Sequence, residues 1–348
     1  MIKTEAYGKA KSGENVSIHT LTNKKGTELK VIDYGAILVS LKIKDKNDNM
    51  TDVYLGYDSL SEYEADECNF GAVIGRNCNR IGGGKYVING VSYQAEQNDF
   101  GNNLHSGSNG VGKKVWNVES TDSEKNSITL AILSKDMEQD FPGNMTMKVT
   151  YKLGEDDSLR VDYEGVSDKD TIANMTNHMY FNLDGHDAGC CLNQELKIYA
   201  ETFTPTDKLS IPTGEVRDVV GTPFDFKEYH VMGDRCDADY DQLTFAGGYD
   251  HNYIVDGEGM RPVAEAVSKK TGIKLLCESD CPAVQLYVGN YIKDIKGKGG
   301  ATYSKRQGFC LETQYVPDAI NHENFLSPIL KANETYKSTT IYKFSIVK

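Results

Sequence analysis

Apolar and polar residues alternate with a period of two along most of this 348-residue chain. In residues 38–43, 127–132, 147–151 and 159–163, every second position is apolar. Successive side chains of a strand point to opposite faces of a sheet, so this alternation indicates strands with one buried face. The pattern therefore predicts many short β-strands.

Turn-forming residues separate many of these predicted strands. Clusters of Asn, Asp and Gly occupy residues 46–49 and 256–259, where they are typical of loops. Asn89 and Gly90 stand between two short runs of alternating residues, a sequence that favours a tight two-residue hairpin. Closely spaced turns of this kind favour antiparallel pairing of neighbouring strands.

Helical patterning is confined to two brief candidates, residues 59–65 and 317–321. Many short strands with frequent turns and few helices predict an all-β fold, built as a large antiparallel sandwich or a barrel-like sheet. Neither a low-complexity linker nor a convincing internal repeat interrupts the pattern. We therefore expect one domain over residues 1–348, with two β-subdomains as the alternative.

The charge of the chain argues against a polyanionic partner. The formal net charge is −13, and the denser charge runs, such as residues 237–241, are acidic. Nucleic-acid binding depends on clusters of Lys and Arg that neutralise phosphates, so no nucleic-acid partner is expected. A neutral substrate fits such a surface best, but charge alone does not establish it, and an acidic face that simply keeps the protein soluble is the better-supported interpretation.

The chain carries no visible signal for export or membrane insertion. Residues 1–5 are charged with no apolar run behind them, and apolar runs such as residues 131–133 are too short to span a bilayer. We therefore expect a cytoplasmic protein without a membrane partner.

The eight cysteines do not form a recognisable framework. Cys190 and Cys191 are adjacent, and Cys277 and Cys281 form one C-x3-C pair. A zinc site needs two close pairs or histidine partners at set spacing, which the sequence lacks. We therefore expect free buried thiols and no metal site.

Three predicted strands combine an apolar face with an unusual polar face. Surface faces usually carry Lys, Glu, Thr and Ser, whereas His, Tyr, Asn, Gln and a single Glu are the residues that bind sugar hydroxyls. The sequence leaves open whether these faces meet bulk water, as in many antiparallel sheets, or line a concave polar site. The polar positions are His178, Tyr180 and Asn182, then Gln285 and Tyr287, and finally Glu312 and Gln314.

Loops contribute four further candidates. Arg76 and Arg80 lie in a glycine-rich stretch that lacks the spacing of a phosphate-binding loop. His105 lies in a turn-rich loop, where a histidine is usually solvated or capping, and Asp250 lies in a turn before a strand. These residues can belong to the same polar site or to the protein surface.

Taken together, nine such fragments resemble the aldose 1-epimerase (galactose mutarotase) family, in the family's order and across most of the chain. One visible departure is Ser106, because the family usually follows its first histidine with two glycines; this puts little in doubt for His105. The fragments are residues 75–81, 103–105, 141–143, 176–183, 212–215, 222–226, 248–252, 285–290 and 310–314.

The resemblance implies a galactose mutarotase-like supersandwich with an open sugar-binding groove. It implies an isomerase that interconverts the α and β anomers of free hexoses such as D-galactose and D-glucose and so serves hexose metabolism. It also implies a monosaccharide as the partner, no cofactor, and a monomer or weak homodimer. The implied roles are general base for Glu312, general acid for His178, and sugar positioning for Asn79, Arg80, His105, Asp250 and Gln285.

This chemistry needs two opposed proton-transfer groups. A base removes the proton from the C1 hydroxyl while an acid protonates the ring oxygen, and the opened aldehyde rotates before it closes on its other face. Reference pKa values of about 4.3 for Glu and about 6.5 for His allow an ionised Glu312 and a charged His178 near neutrality if each group stabilises the other's charge.

Three alternatives remain open from the sequence. A non-catalytic sugar-binding protein would share Arg80, His105 and Asp250 but would not need Glu312 opposite His178. A glycoside hydrolase needs two carboxylates, of which Asp250 could be the second. A hexose 6-phosphate mutarotase would want further Lys or Arg residues near the groove, and no such cluster is obvious.

Overall fold

The computed structural model describes residues 2–347, and most of them lie in strands and turns. The strands, numbered in chain order, are β1 (Ile2–Lys9), β2 (Asn15–Thr22), β3 (Glu28–Ile32), β4 (Leu38–Lys44), β5 (Met50–Asp52), β6 (Val73–Ile74), β7 (Arg80–Ile81), β8 (Lys85–Ile88), β9 (Val91–Gln94), β10 (Asn103–Leu104), β11 (Asn117–Asp122), β12 (Ser127–Ser134), β13 (Met145–Leu153), β14 (Ser158–Ser167), β15 (Thr171–Ile172), β16 (Thr176–Asn177), β17 (Glu195–Ile198), β18 (Thr202–Thr204), β19 (Arg217–Asp218), β20 (His230–Val231), β21 (Asp250–Ile254), β22 (Arg261–Val267), β23 (Ile273–Ser279), β24 (Ala283–Tyr287), β25 (Ile295–Lys296), β26 (Thr302–Tyr303), β27 (Cys310–Gln314), β28 (Ile329–Leu330) and β29 (Thr335–Ile346).

Helical structure is sparse, as the sequence predicts. The two α-helices within residues 2–347 are α1 (Leu60–Glu64) and α2 (Asp241–Ala246). No helix in this part of the chain is long and apolar enough to cross a membrane. The 3₁₀ turns are Gly82–Gly84, Val111–Lys113, Glu138–Asp140, Met232–Asp234, Lys298–Gly300 and Ala319–Asn321.

Three antiparallel sheets make up the body of the protein. Strands β1 to β5 form one sheet in chain order. The largest sheet has nine strands in the order β11-β12-β13-β14-β29-β23-β22-β17-β20. A third sheet, called here the β24 sheet, has the order β19-β18-β21-β24-β27. The predicted all-β fold is therefore confirmed.

One hydrophobic core joins the three sheets. Leu41 of β4, Val149 of β13 and Leu286 of β24 belong to the same buried cluster, and none of them is exposed. The alternation predicted for residues 147–151 is seen in β13, where every second side chain is buried. The sheets therefore pack face to face as a large antiparallel sandwich.

Local predictions agree well with the structure. The Asn89-Gly90 hairpin joins β8 to β9, and both residues have positive φ (51° and 78°), as the favoured two-residue turn requires. The helical candidate at residues 59–65 contains α1, at whose start the Glu62 carboxylate accepts the Ser59 N–H at 2.9 Å. The candidate at residues 317–321 contains only a 3₁₀ turn.

The segment that leads to His178 differs from the predicted continuous strand. After β16, residues 178–182 form no continuous ladder, because their backbone groups bond to several different neighbours. The His178 carbonyl accepts from Gly71, the Tyr180 carbonyl accepts from Leu55, and Phe181 exchanges two bonds with Phe309. The predicted apolar face is nevertheless correct, since Met179, Phe181 and Leu183 all enter the main core.

All eight cysteines are free, as predicted. Six of them are buried, Cys68 is partly exposed and Cys190 is exposed, so the expectation of buried thiols fails for Cys190.

Candidate active site

The polar face of the β24 sheet is hidden from solvent. The strand register places Asn252, Gln285 and Glu312 side by side on β21, β24 and β27. Glu312 is 3% exposed and Asp250, at the start of β21, is 8% exposed. These polar side chains therefore line an interior site rather than meeting bulk water.

His178 faces Glu312 across a short gap. The distance from His178 Nε2 to Glu312 Oε2 is 3.9 Å, and the imidazole stacks on the ring of Tyr180 with centroids 4.9 Å apart. Glu312 Oε2 is buried and accepts no hydrogen bond from residues 2–347. An unpartnered buried carboxylate oxygen is costly, so its presence here marks a place where a ligand group would bind.

The turn around Asn79 fixes both the position and the tautomer of His105. The two residues exchange bonds: His105 N–H donates to the Asn79 carbonyl at 3.0 Å, and Asn79 N–H donates to His105 Nδ1 at 3.1 Å. Because Nδ1 is an acceptor, the neutral imidazole carries its proton on Nε2. His105 therefore offers an N–H donor to the site, next to His178 at a ring distance of 5.2 Å.

Ser106 keeps the His105 loop in place. Its φ is 64°, a value that favours glycine, yet its hydroxyl accepts from Asn77 N–H at 2.8 Å and donates to the Asn77 carbonyl at 2.9 Å. These two bonds tie the loop to the chain just before Asn79. As expected from the sequence, the departure at Ser106 leaves His105 in the site.

His105, His178 and Glu312 also have the composition of a metal-ligand set. One ligand atom from each lies within 4.8 Å of the others. To bind a metal through Nε2, His105 would have to move its proton to Nδ1, which already faces the Asn79 N–H. This second contact suits the cluster to hydrogen bonding rather than to metal ligation.

Arg80 and Asp250 each keep part of their hydrogen-bonding capacity free. Arg80 Nε donates to Asp99 Oδ2 at 2.8 Å, the one side-chain bond that Arg80 makes with residues 2–347. Gln285 Nε2 donates to Asp250 Oδ1 at 2.7 Å, which orients the carboxylate. The Arg80 Nη nitrogens and Asp250 Oδ2 are thus available to a ligand.

Asp99 is the residue that the sequence did not indicate. It is not one of the polar strand positions named from the sequence. It lies in a turn between residues 75–81 and 103–105, two of the fragments that resemble the family. Its position six residues before His105 is a weak signal that could have drawn attention to it.

Arg76, also singled out from the sequence, is a structural residue. Its guanidinium is 2% exposed and donates to the carbonyls of Ser134, Lys135, Pro142 and Gly143 at 2.7–3.0 Å. These bonds use its donors and hold a loop between β12 and β13.

Burial is the main cause of the pKa shifts of Glu312 and His178. It raises the pKa of Glu312 to about 8, with a further increase from the Asp250 charge and an opposing effect of Arg80. Burial also lowers the pKa of His178 to about 4. Low solvent exposure thus disfavours both charges in the free site and leaves one proton on Glu312, so the charged pair depends on the stabilisation that each charge gives the other.

Aromatic rings form one wall of the site. Phe309 is fully buried in the core, whereas Tyr180 stacks on His178 and Tyr287 meets the same imidazole edge-on at 6.1 Å. Tyr291, which the sequence did not single out, stacks on Tyr287 and is 51% exposed. An apolar surface thus extends outward beside the polar groups.

The fold and the site define a β-sandwich protein in which a carboxyl group and an imidazole, both sheltered from solvent, face each other beside further polar side chains. The sequence pattern of the aldose 1-epimerase family matches residues 17–343, and the chain belongs to this family. The resemblance seen in the nine sequence fragments is confirmed. The prediction that the chain is an enzyme, an isomerase of carbohydrates, is confirmed as well.

Similar proteins cover nearly the whole chain. Galactose mutarotases from Bos taurus and Homo sapiens are each 36% identical over 318 residues, which is 91% of this chain and 90% of theirs. Aldose 1-epimerase from Escherichia coli K12 is 32% identical over 339 residues, 96% of this chain and 97% of its own. The crystal structure of galactose 1-epimerase from Lactobacillus acidophilus superposes with a TM-score of 0.89 at 28% identity, covering 100% of this chain and 99% of that one.

Proposed function

We propose that this protein is an aldose 1-epimerase that interconverts the α and β anomers of free hexoses such as D-galactose and D-glucose. The observation that carries the proposal is the buried, unpartnered Oε2 of Glu312, 3.9 Å from His178 Nε2. Family membership and relatives named galactose mutarotase and aldose 1-epimerase support the same reaction.

In this mechanism Glu312 is the general base and His178 the general acid. The free pair holds one proton, and the reactive form differs from it only by transfer of that proton from Glu312 to His178. A sugar favours the transfer, because its C1 hydroxyl donates to the carboxylate and its ring oxygen accepts from the imidazolium. Glu312 then takes the C1 proton while His178 protonates the ring oxygen, and the groups exchange roles on closure.

The remaining polar groups hold the sugar between acid and base. The Arg80 Nη nitrogens and His105 Nε2–H are donors, and Asp250 Oδ2 is an acceptor. Gln285 orients Asp250, and Asn79 orients His105. Hydrogen bonds to charged groups are the stronger kind, so this set can align C1 and the ring oxygen with the acid–base pair.

An uncharged sugar suits the site better than a sugar phosphate. Asp250 and Asp99 are the two carboxylates whose charges act most strongly on Arg80. Two carboxylates around one guanidinium disfavour a further dianion. The geometry therefore supports a free hexose over a hexose 6-phosphate.

Location and assembly remain predictions. Eight free cysteines fit the reducing conditions of the cytoplasm, which the sequence also favours. The monomer or weak homodimer and the single domain over residues 1–348 likewise stay predictions.

Polarimetry tests the proposed reaction directly. Crystalline α-D-galactose or α-D-glucose is dissolved and the optical rotation is followed with wild type and with Glu312→Gln. We expect wild type to speed the approach to equilibrium and Glu312→Gln to lose roughly a thousandfold in rate, as expected when a positioned base is removed.

A matched control separates this effect from the loss of any carboxylate. Glu119→Gln changes an exposed strand residue that pairs with Lys148, and it should keep the wild-type rate. Isothermal calorimetry should show that Glu312→Gln still binds galactose. A wild-type rate equal to that of buffer for both sugars would contradict the proposed function and favour a sugar-binding protein.

A further inference from the structure

The carboxylate that binds Arg80 is Asp99, which lies outside the strands and outside the nine fragments that resemble the family. The Nε–Oδ2 bond to Asp99 is 2.8 Å long, and the side chains are 11% and 17% exposed. Because both side chains are so little exposed to water, this ion pair is stronger and less mobile than one on the protein surface.

The contact restrains the part of Arg80 that would otherwise move. Arginine has a long flexible side chain but a rigid planar head group, so fixing Nε also fixes the plane of the guanidinium. Nε is bound to Asp99, whereas neither Nη nitrogen donates to a side chain or carbonyl of residues 2–347. These are the donors assigned above to the sugar.

The turn that carries Asp99 is attached to both sugar-positioning loops. Asp99 and Asn102 exchange backbone bonds of 3.1 and 2.8 Å. The Asn98 side chain accepts from Leu104 N–H at 2.8 Å and donates to the Leu104 carbonyl at 3.0 Å. Leu104 in turn pairs with Arg80 between β10 and β7, and it directly precedes His105.

We propose that Asp99 is a positioning residue that directs the Arg80 Nη donors toward the hydroxyls of the bound sugar. The inference rests on the proposed function, since it assigns Asp99 a part in binding the same substrate. Asp99 acts through Arg80 and needs no contact with C1 or the ring oxygen. Its loss should therefore weaken sugar binding and leave the chemical step nearly unchanged.

Steady-state polarimetry with Asp99→Asn tests whether Asp99 contributes to sugar binding rather than to the chemical step. We expect KM for galactose to rise about tenfold while kcat falls less than about twofold. Asp99→Glu keeps the charge on a longer side chain and should recover part of the loss. Asp162→Asn is the matched control, because Asp162 binds Arg160 at 2.7 Å on β14 of the nine-stranded sheet, which carries none of the candidate site residues, and it should keep the wild-type KM.

A double variant distinguishes positioning from a general structural role. If Asp99 acts only through Arg80, Arg80→Ala combined with Asp99→Asn should show the same KM as Arg80→Ala alone. An unchanged KM in Asp99→Asn, or a further increase in the double variant, would overturn the proposal. A fall in kcat and melting temperature without a change in KM would also overturn it, since that result marks Asp99 as merely structural.

The two proposals can fail separately. If wild type does not accelerate mutarotation, the proposed function fails. Calorimetry then still tests Asp99, because tenfold weaker galactose binding by Asp99→Asn supports its role and equal binding by both proteins contradicts it.

Discussion

At the scale of single residues, burial changes the chemistry of Glu312 more than any neighbour does. A glutamate in water is a weak base at neutral pH, whereas the pKa of Glu312 is raised to about 8. Each pKa unit corresponds to about 1.4 kcal/mol, so the site disfavours the free carboxylate by several kcal/mol. A base with a pKa near the working pH is what efficient proton transfer requires.

In the proposed mechanism, Glu312 and His178 determine the pH dependence of the reaction. Below about pH 4, His178 gains a proton while Glu312 still holds its own, so no base remains. Above about pH 8, Glu312 loses its proton while His178 has none, so no acid remains. Measured by polarimetry, kcat/KM for galactose should be level between about pH 4 and about pH 8 and fall on both sides.

Circular dichroism at each pH provides the control for unfolding. A kcat/KM that falls steadily from pH 7 to pH 5 in a folded protein would contradict this assignment, because it would place the imidazole near its ordinary pKa of about 6.5.

At the scale of elements, the extended segment of residues 178–183 connects the core to the site. Phe181 is fully buried and packs against Tyr54, Phe309 and Tyr342. Its N–H and carbonyl both bond to Phe309, next to the start of β27. The packing of Phe181 therefore helps to set the distance between His178 and Glu312.

Phe181→Ala tests how much this packing contributes. Removing a fully buried ring should lower the free energy of unfolding by about 3–5 kcal/mol, measured by urea titration. Phe100→Ala is the matched control, because that ring is 86% exposed and its loss should change stability by less than about 0.5 kcal/mol. Equal stability of the two variants would show that the segment contributes little to the fold.

At the scale of the whole molecule, one core connects all three sheets. The cluster that contains Leu41, Val149 and Leu286 also includes Trp116, the only tryptophan of the chain. A shared core of this kind favours cooperative unfolding, because one sheet cannot unfold without exposing the apolar surface of the others to water.

This arrangement predicts a single unfolding transition. Trp116 fluorescence, near-UV circular dichroism from the 21 tyrosines and calorimetry should give coincident midpoints. Two separated transitions would instead support the alternative of two β-subdomains.

The sequence by itself determined the features that depend on neighbouring residues. The alternation in residues 147–151, the Asn89-Gly90 hairpin and the two faces of residues 177–183 all follow from the period of a strand and from local turn geometry. The order of the polar fragments also indicated the family before any distance between them was known. Glu312 and His178 could thus be named as a candidate pair.

Only the tertiary structure decided what depends on contacts between distant segments. Arg76 and Arg80 look alike in the sequence, yet one is saturated by backbone carbonyls and the other is oriented by Asp99. The burial that raises the pKa of Glu312 and lowers that of His178 likewise comes from packing. Desolvation depends on how many atoms surround a group, and packing brings those atoms from all parts of the chain, so residue type and spacing do not reveal it.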